Sequence, residues 1–216
     1  MSDPTSDVVL FDYWRSSASY RVRIALNMLG VEYTSTPVSI PDGEHVSDEH
    51  LTRNPQGFVP VLDIDGIRLT QSLAIAEYLN ETRNGNLLPA DAAGRARVRA
   101  LAYVIAMEIH PVCNPHLVNH VLEISGGDNA LRTEWMQHFI RKGLLAFERL
   151  LDNPATGSFC HGDTPGLADI TLIPQLYNAD RWNADYSDMP RIRAIAERAL
   201  ALPAFAAAHP DRSKPA

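Results

Sequence analysis

Near the start of the chain, the apolar residues first form a nearly continuous run and then recur with the period of a helix. Residues 8–13 form a short, nearly continuous apolar run, which predicts a buried strand. Apolar side chains then recur on one helical face over residues 18–29, namely Val22, Ala25, Leu26 and Leu29, before Gly30 supplies a C-terminal stop. The sequence therefore begins with a predicted strand that leads directly into an amphipathic helix.

Two further strands are predicted after residue 57. Residues 58–69 favour a β-hairpin that turns at Asp65-Gly66, a dipeptide typical of tight turns between strands. Pro60 stands at the head of the first strand, where a residue without a backbone N–H is tolerated. A cis Val59–Pro60 bond would turn the Val59 amide toward a ligand, and the sequence leaves the isomer open. Helical patterns flank the hairpin at residues 41–53, where the helix is irregular, and at residues 72–81.

The pattern beyond residue 85 is helical. Gly, Asn and Pro separate helices expected at residues 94–109, 115–125, 130–151, 167–182 and 190–201, with a helix and its tail at 199–208 and a frayed end from Pro210 onward. Residues 86–91 predict a linker. We therefore expect an α/β domain at residues 1–85 and an all-α domain at residues 92–216.

Charge and cysteine content exclude several classes of protein. The formal net charge of −7 argues against a general nucleic-acid binder, because phosphate contacts need a basic face. The apolar runs are too short for a membrane span, and Met1-Ser2-Asp3-Pro4 does not begin a signal peptide, so a cytoplasmic protein is expected. Cys113 and Cys160 have neither disulfide nor metal-ligand spacing, which predicts buried thiols and no bound metal.

Polar side chains stand at the start of both helices predicted in the first domain. Ser16 and Ser17 precede one helix, and Gln71 and Ser72 open the other. The first N–H groups of a helix lack intrahelical partners and carry partial positive charge, so both positions suit a thiolate, phosphate or carboxylate. Serine is also a common N-cap, and the residues alone leave both interpretations open.

Several short motifs occur in a specific order and spacing: Arg15-Ser16-Ser17-Ala18-Ser19-Tyr20-Arg21-Val22-Arg23-Ile24-Ala25-Leu26, Asn54-Pro55-Gln56-Gly57, Val59-Pro60, Gln71-Ser72-Leu73-Ala74-Ile75, Leu87-Leu88-Pro89-Ala90-Asp91, Ile109-His110-Pro111, Gly162-Asp163-Thr164-Pro165 and Pro174-Gln175. Through them, and over nearly its whole length, the chain resembles the zeta class of glutathione S-transferases. The resemblance implies a thioredoxin-like first domain, an all-helical second domain and a homodimer.

The resemblance also implies an activity. This is the glutathione-dependent cis–trans isomerisation of maleylacetoacetate to fumarylacetoacetate, in the breakdown of tyrosine. The alternatives are a maleylpyruvate isomerase, or a transferase that conjugates glutathione to small electrophiles such as α-halo acids. A non-catalytic binding protein on the same fold is a third possibility, because a fold does not determine a function.

The residues that the resemblance assigns to glutathione are Ser16, His45, Val59, Pro60, Gln71 and Ser72. Ser16 is the first choice as hydroxyl donor to the thiolate, and Ser17 is the second. His45 is implied at the glycine carboxylate, with a solvated loop histidine as the alternative. Ala18 stands where many relatives carry Cys, so thioltransferase roles that need a protein thiol are disfavoured.

The residues implied on the substrate side are Arg15, Asn114, His116 and Arg181, and His110 is a further catalytic candidate. An arginine fork binds carboxylates bidentately, and histidine polarises a carbonyl or relays a proton near neutral pH. His116 replaces an arginine common in relatives. The alternatives are solvated surface arginines and a histidine that only caps or packs.

Four further residues are assigned structural roles. Arg21 and Arg23 are expected to be ion-pair partners on the face of their helix. Gly166 stands where the family carries a Ser or Thr N-cap, and Asp169 at N3 is expected to reach back to the backbone there.

Overall fold

A computed structural model describes residues 8–214, so the expectation for Met1-Ser2-Asp3-Pro4 lies outside the described residues. The chain divides after Gly85. Of the described residues, 8–85 and 203–214 form one unit, and Asn86–Leu202 form the other. No helix within residues 8–214 has the length and apolar character needed to cross a membrane. The same residues contain no group of three or more His, Cys, Asp or Glu side chains that could hold a metal ion.

Strands and helices alternate in the first unit: β1 (Val9–Asp12), α1 (Ser17–Met28), β2 (Thr34–Pro37), a 3₁₀ turn (Glu44–Val46), α2 (Asp48–Arg53), β3 (Val61–Ile64), β4 (Ile67–Thr70) and α3 (Ser72–Thr82). The strands form one sheet in the order β2-β1-β3-β4. β1 runs parallel to β2 and antiparallel to β3. The hairpin of β3 and β4 turns at Asp65-Gly66, where both φ angles are positive, as a type I′ turn requires. The predicted α/β class is therefore confirmed.

Differences in burial explain why the apolar pattern predicted β1 and β3 but did not predict β2. Leu10 of β1 and Val61 and Leu62 of β3 are fully buried, so these strands carry apolar runs. β2 has the sequence Thr-Ser-Thr-Pro and is mostly exposed, because it lies at the sheet edge and is held by its hydrogen bonds to β1. A strand of this kind has no apolar signal to detect.

Helices alone make up the second unit: α4 (Ala92–Tyr103), α5 (Pro115–Ser125), α6 (Asn129–Leu150), α7 (Leu167–Trp182) and α8 (Pro190–Leu200). The helix predicted to reach Ile109 changes character on the way, because α4 continues as a π-helix over Val104–Ile109. The wider turn of the π-helix is seen in one hydrogen bond. The His110 N–H donates to the carbonyl of Ile105, five residues earlier, at 2.8 Å. α7 is buried along most of its length and forms the centre of this unit. The predicted all-α class is confirmed.

The C-terminal segment belongs to the first unit, which differs from the boundary predicted at residues 92–216. It contains α9 (Pro203–Ala207) and α10 (Pro210–Ser213), so the frayed end expected from Pro210 is instead a short helix. Two side chains of α1 bind its backbone: Asn27 donates to the Ala204 carbonyl and Arg23 to the Ala208 carbonyl, each at 3.1 Å. These contacts explain why the segment lies with α1.

Gly166 at the N-cap of α7 has a steric reason to be glycine. A Cβ added there would lie 2.8 Å from the Leu87 carbonyl oxygen, which already accepts the Leu167 N–H. We therefore expect Gly166→Ser to destabilise the protein by about 1–3 kcal/mol, although serine is ordinarily the better cap. Chemical denaturation measures this difference, and a variant as stable as the parent would show that the Leu87 backbone yields without cost.

Candidate active site

Ser16 is the N-cap of α1, and its hydroxyl remains able to donate. Its Oγ accepts a hydrogen bond from the Ser19 N–H at 3.2 Å. A serine hydroxyl accepts at oxygen and donates its own hydrogen, so capping leaves that hydrogen for an anion in front of the helix. Ser17 is only 4% exposed, whereas Ser16 is half-buried. The cap and thiolate-donor interpretations are therefore compatible, and accessibility favours Ser16 over Ser17.

Arg23 holds the turn that presents Ser16. Its guanidinium donates to the Asp12 carboxylate at 2.5 Å and to the Trp14 carbonyl at 2.9 Å, in addition to its bond to the C-terminal segment. Arg23 is 1% exposed and Asp12 is 3% exposed, so the ion pair is buried. Arg23 is therefore an ion-pair partner, as expected from the sequence, and the finding that the sequence did not predict is that the pair is buried. Asp12, a carboxylate at the end of an apolar strand, was the signal that a buried cation had to lie nearby.

Arg15 lies on the surface beside this turn. Its guanidinium carbon lies 4.5 Å from the centre of the Trp14 ring, which gives a cation–π contact. The side chain is exposed to solvent. Arg15 can therefore meet an anionic substrate, although nothing buries it in a preformed pocket.

The loop before β3 ends in a cis Val59–Pro60 peptide bond. Val59 packs in a small apolar cluster with Phe11, Val38 and Val61, which fixes its side chain. The preceding carbonyl, that of Phe58, accepts from Asn54 Nδ2 at 2.9 Å and lies 3.0 Å from His50 Nε2.

At the start of α3, Gln71 and Ser72 each form a side-chain hydrogen bond with a residue from another part of the chain. Gln71 has a positive φ of 68°, and its Nε2 donates to Gln56 Oε1 at 2.9 Å. Ser72 is buried, and its Oγ accepts from Arg21 Nη1 at 3.3 Å. Arg21 is 2% exposed and forms no ion pair within residues 8–214, so the expectation of a helix-face ion pair was wrong for Arg21. The sequence pattern missed the burial of both arginines, because α1 is enclosed on nearly all sides.

His45 lies half-buried in the 3₁₀ turn. Its Nδ1 is buried and has no hydrogen-bond partner among residues 8–214. Burial, and then the neighbouring His50, lower the pKa of His45, so it stays neutral at pH 7 and can offer an N–H. A buried ring nitrogen without a partner favours a ligand role over a solvated loop histidine.

Three candidates of the helical unit lie close together in sequence and structure. His110 is half-buried and follows the π-helix, a feature frequent at functional sites. Asn114 caps α5, and its Oδ1 accepts from the His116 N–H at 3.2 Å. The His116 ring Nδ1 lies 3.2 Å from the same oxygen, and its side chain is exposed. Asn114 therefore holds His116, which leaves the Asn114 amide N–H₂ as a possible donor to a ligand.

Arg181 lies in the last turn of α7 and is exposed. Its Nη1 donates to Asn178 Oδ1 at 3.4 Å, and its guanidinium carbon lies 5.9 Å from the centre of the Tyr177 ring. Both contacts come from its own helix. The side chain is oriented by them but not enclosed.

The two cysteines have no reactive character. Burial raises the pKa of the Cys113 thiol to about 12 and that of the Cys160 thiol well above its usual value. Thiolates are the nucleophilic form of cysteine, so both are inert at neutral pH.

Asp169 is a buried structural acid, as predicted. Its two carboxylate oxygens accept from the Gly166 N–H and the Cys160 N–H, each at 2.9 Å. Burial raises the pKa of Asp169. Asp169→Ala leaves both N–H groups unpaired, and we expect a loss of about 2–4 kcal/mol of stability. Asp169→Asn, the control, keeps one acceptor and should lose less in calorimetry; equal losses would point to packing alone.

Comparison with known proteins places this geometry in a family. The N-terminal domain family of glutathione S-transferases matches residues 6–81. The maleylacetoacetate isomerase of Rhizobium meliloti is 60% identical over 211 residues, which cover 97% of this chain and 99% of the relative.

Two solved structures have nearly the same fold. A zeta-class maleylpyruvate isomerase superposes with a TM-score of 0.92 at 41% identity, covering 94% of this chain and 97% of the other. A maleylacetoacetate isomerase from Methylobacterium extorquens AM1, with bound malonate and GSH, gives 0.92 at 39% identity, covering 96% and 100%. The chain belongs to the zeta-class glutathione S-transferase family, in the group of maleylacetoacetate and maleylpyruvate isomerases.

Proposed function

We propose that this protein is a glutathione-dependent cis–trans isomerase that converts maleylacetoacetate to fumarylacetoacetate. The observation that carries the proposal is the half-buried Ser16 hydroxyl at the N-cap of α1, whose oxygen accepts from the Ser19 N–H, in a chain 60% identical to a maleylacetoacetate isomerase. The identity to the maleylpyruvate isomerase is 41%, so the first substrate is favoured over the second.

The first unit fits glutathione by its donor set. α1 and α3 each present the positive end of a helix, with a hydroxyl from Ser16 and from Ser72 respectively. The buried Nδ1 of His45 has no hydrogen-bond partner within residues 8–214, which suits a residue that binds a ligand. Gln71 adds an amide oxygen, which can accept from an amino group. These groups match a thiolate, two carboxylates and one amine.

Ser16 would be the main residue that stabilises the sulfur of glutathione as a thiolate. When bound, glutathione supplies a thiolate that adds to the cis double bond, allows rotation and is released unchanged. Donation from the Ser16 hydroxyl and the positive end of α1 both favour the charged sulfur, which lowers its pKa from the usual 8.5 or so. Val59, Pro60, Gln71 and Ser72 would bind the peptide, and His45 its glycine carboxylate.

Cations and hydrogen-bond donors would act on the substrate. Arg15 and Arg181 suit a carboxylate or a developing enolate, because the fork of a guanidinium can bind two oxygens at once. Asn114 can donate its amide N–H₂, and His116 replaces the arginine of relatives as a donor. His110 would polarise a carbonyl or move a proton. Stabilisation of enolate charge and orientation would supply most of the rate.

The remaining expectations belong to the same proposal. A homodimer is proposed from the family resemblance, and light scattering tests it. A cytoplasmic location in tyrosine breakdown agrees with two reduced cysteines and with the need for reduced glutathione.

The proposal is tested by measuring turnover when glutathione is present at a lower concentration than the substrate. Purified protein is mixed with maleylacetoacetate or with maleylpyruvate at substoichiometric glutathione, and the trans product is followed spectroscopically. Many turnovers per glutathione on maleylacetoacetate are expected, with slower turnover on maleylpyruvate. S-methylglutathione, which lacks the thiol, is the control and should support none.

Two results would contradict the proposal in different ways. Glutathione consumed in proportion to product would identify a conjugating transferase. Binding of glutathione without turnover of either substrate would remove the isomerase assignment.

A further inference from the structure

Arg21 is the largest buried group for which the mechanism has no role. It lies on α1 with 2% of its surface exposed. Within residues 8–214, its side chain forms one hydrogen bond. In this bond the Arg21 Nη1 donates to the Oγ of Ser72, the first residue of α3, at 3.3 Å. Its Nε and Nη2 are buried and have no hydrogen-bond partner among residues 8–214.

The charge of Arg21 is not compensated by the part of the chain that the structure describes. No ion pair is formed to Arg21 there, whereas Arg23, two residues on, pairs with Asp12. Burial without a counter-ion lowers the pKa of Arg21 to about 10, so the guanidinium still carries its proton at pH 7. Burying an unpaired cation is costly, and an anion bound nearby relieves the cost.

The hydrogen bond from Arg21 also sets the direction in which Ser72 donates. Because the Ser72 oxygen accepts from the guanidinium, its own hydrogen points elsewhere, as a donor to a ligand. The unpaired first N–H groups of α3, an 11-residue helix, lie at the same end. A hydroxyl donor, helix N–H groups and a positive charge behind them together suit a carboxylate.

We propose that Arg21 is a positioning residue for the α-carboxylate of the γ-glutamyl group of glutathione, acting through Ser72 and through its buried positive charge. The inference rests on the proposed function, because it takes glutathione as the ligand of this helix end. It goes further in assigning selectivity for that carboxylate to a side chain that does not touch it. Arg21 therefore contributes positive charge to the carboxylate site and orients Ser72 without contacting the carboxylate.

The experiment compares glutathione with 4-aminobutanoyl-cysteinyl-glycine, which is glutathione without the α-carboxylate. Calorimetry measures both affinities for the parent protein, Arg21→Met and Arg21→Gln. The parent is expected to prefer glutathione about 50-fold, and both neutral variants less than about 5-fold, since a hydrogen bond to a charged group is of this size. The variants should bind the truncated peptide as the parent does. Arg21→Lys, which keeps the charge, should restore most of the preference.

Arg68→Met is the matched control, because it removes one exposed guanidinium, paired with Asp63 at 2.6 Å, from the same unit. It should leave the preference unchanged. A full preference in Arg21→Met or Arg21→Gln, or an equal loss of affinity for both peptides, overturns the role of Arg21 and leaves the proposed function standing. If the parent protein binds neither peptide, the proposed function itself fails.

Discussion

Ser16→Ala is expected to lower kcat/KM for isomerisation about 100- to 1000-fold, the usual effect of removing one donor to a developing anion. The physical reason is the loss of the Ser16 hydrogen bond to the thiolate, which raises the pKa of the bound thiol. Ultraviolet absorbance of the thiolate, followed against pH in the glutathione complex, measures that pKa directly. A rise in pKa together with the fall in rate would place Ser16 at the sulfur.

The controls for Ser16 separate chemistry from capping. Ser16→Ala also loses the bond to the Ser19 N–H, at a cost of about 1 kcal/mol of stability. Ser16→Thr keeps both the cap and the hydroxyl and should retain most activity. Ser17→Ala removes the more deeply buried hydroxyl and should change the thiol pKa less. A larger effect at Ser17 than at Ser16 would reverse the assignment.

Arg23→Met is expected to reduce stability by about 3–5 kcal/mol, because it leaves the Asp12 carboxylate buried without its cation. The same substitution frees the Trp14 and Ala208 carbonyls, so the turn before Ser16 and the C-terminal segment should both loosen. Thermal and urea unfolding measure the stability. Hydrogen exchange of the amides in the two segments measures the loosening.

Two further variants test the cause of this loss. Asp12→Asn in the Arg23→Met background removes the orphaned charge and should recover part of the stability. Arg68→Met breaks an exposed pair with Asp63 and should change stability by less than about 1 kcal/mol. If Arg23→Met and Arg68→Met cost the same, the buried ion pair has no special importance.

Much of the fold could be predicted from local patterns. The hairpin turn at Asp65-Gly66 and α7 over Leu167–Trp182 appear where the sequence predicts them. These elements carry their own signal, a period of apolar residues or a turn dipeptide. β2 does not, since its residues are polar and its strand conformation comes from pairing with β1.

The site is predictable in part for the same reason. Ser16 and Ser72 follow from the rule that anions bind at helix N-termini, and the structure places both in a first helical turn or its cap. The burial of Arg21 and Arg23 was not predicted, because arginine is mostly exposed in folded proteins. Only packing against α3 and the C-terminal segment buries them.

The sequence by itself determined the elements with a strong local period, the hydroxyls at two helix N-termini and the family of the chain. The tertiary structure decided the cis state of Val59–Pro60, the packing of residues 203–214 on α1 and the partners of the buried arginines. These features depend on groups far apart in the chain, such as Arg23 and Ala208. Local periodicity indicates whether a position faces apolar surroundings. It does not indicate which distant group pairs with a buried charge.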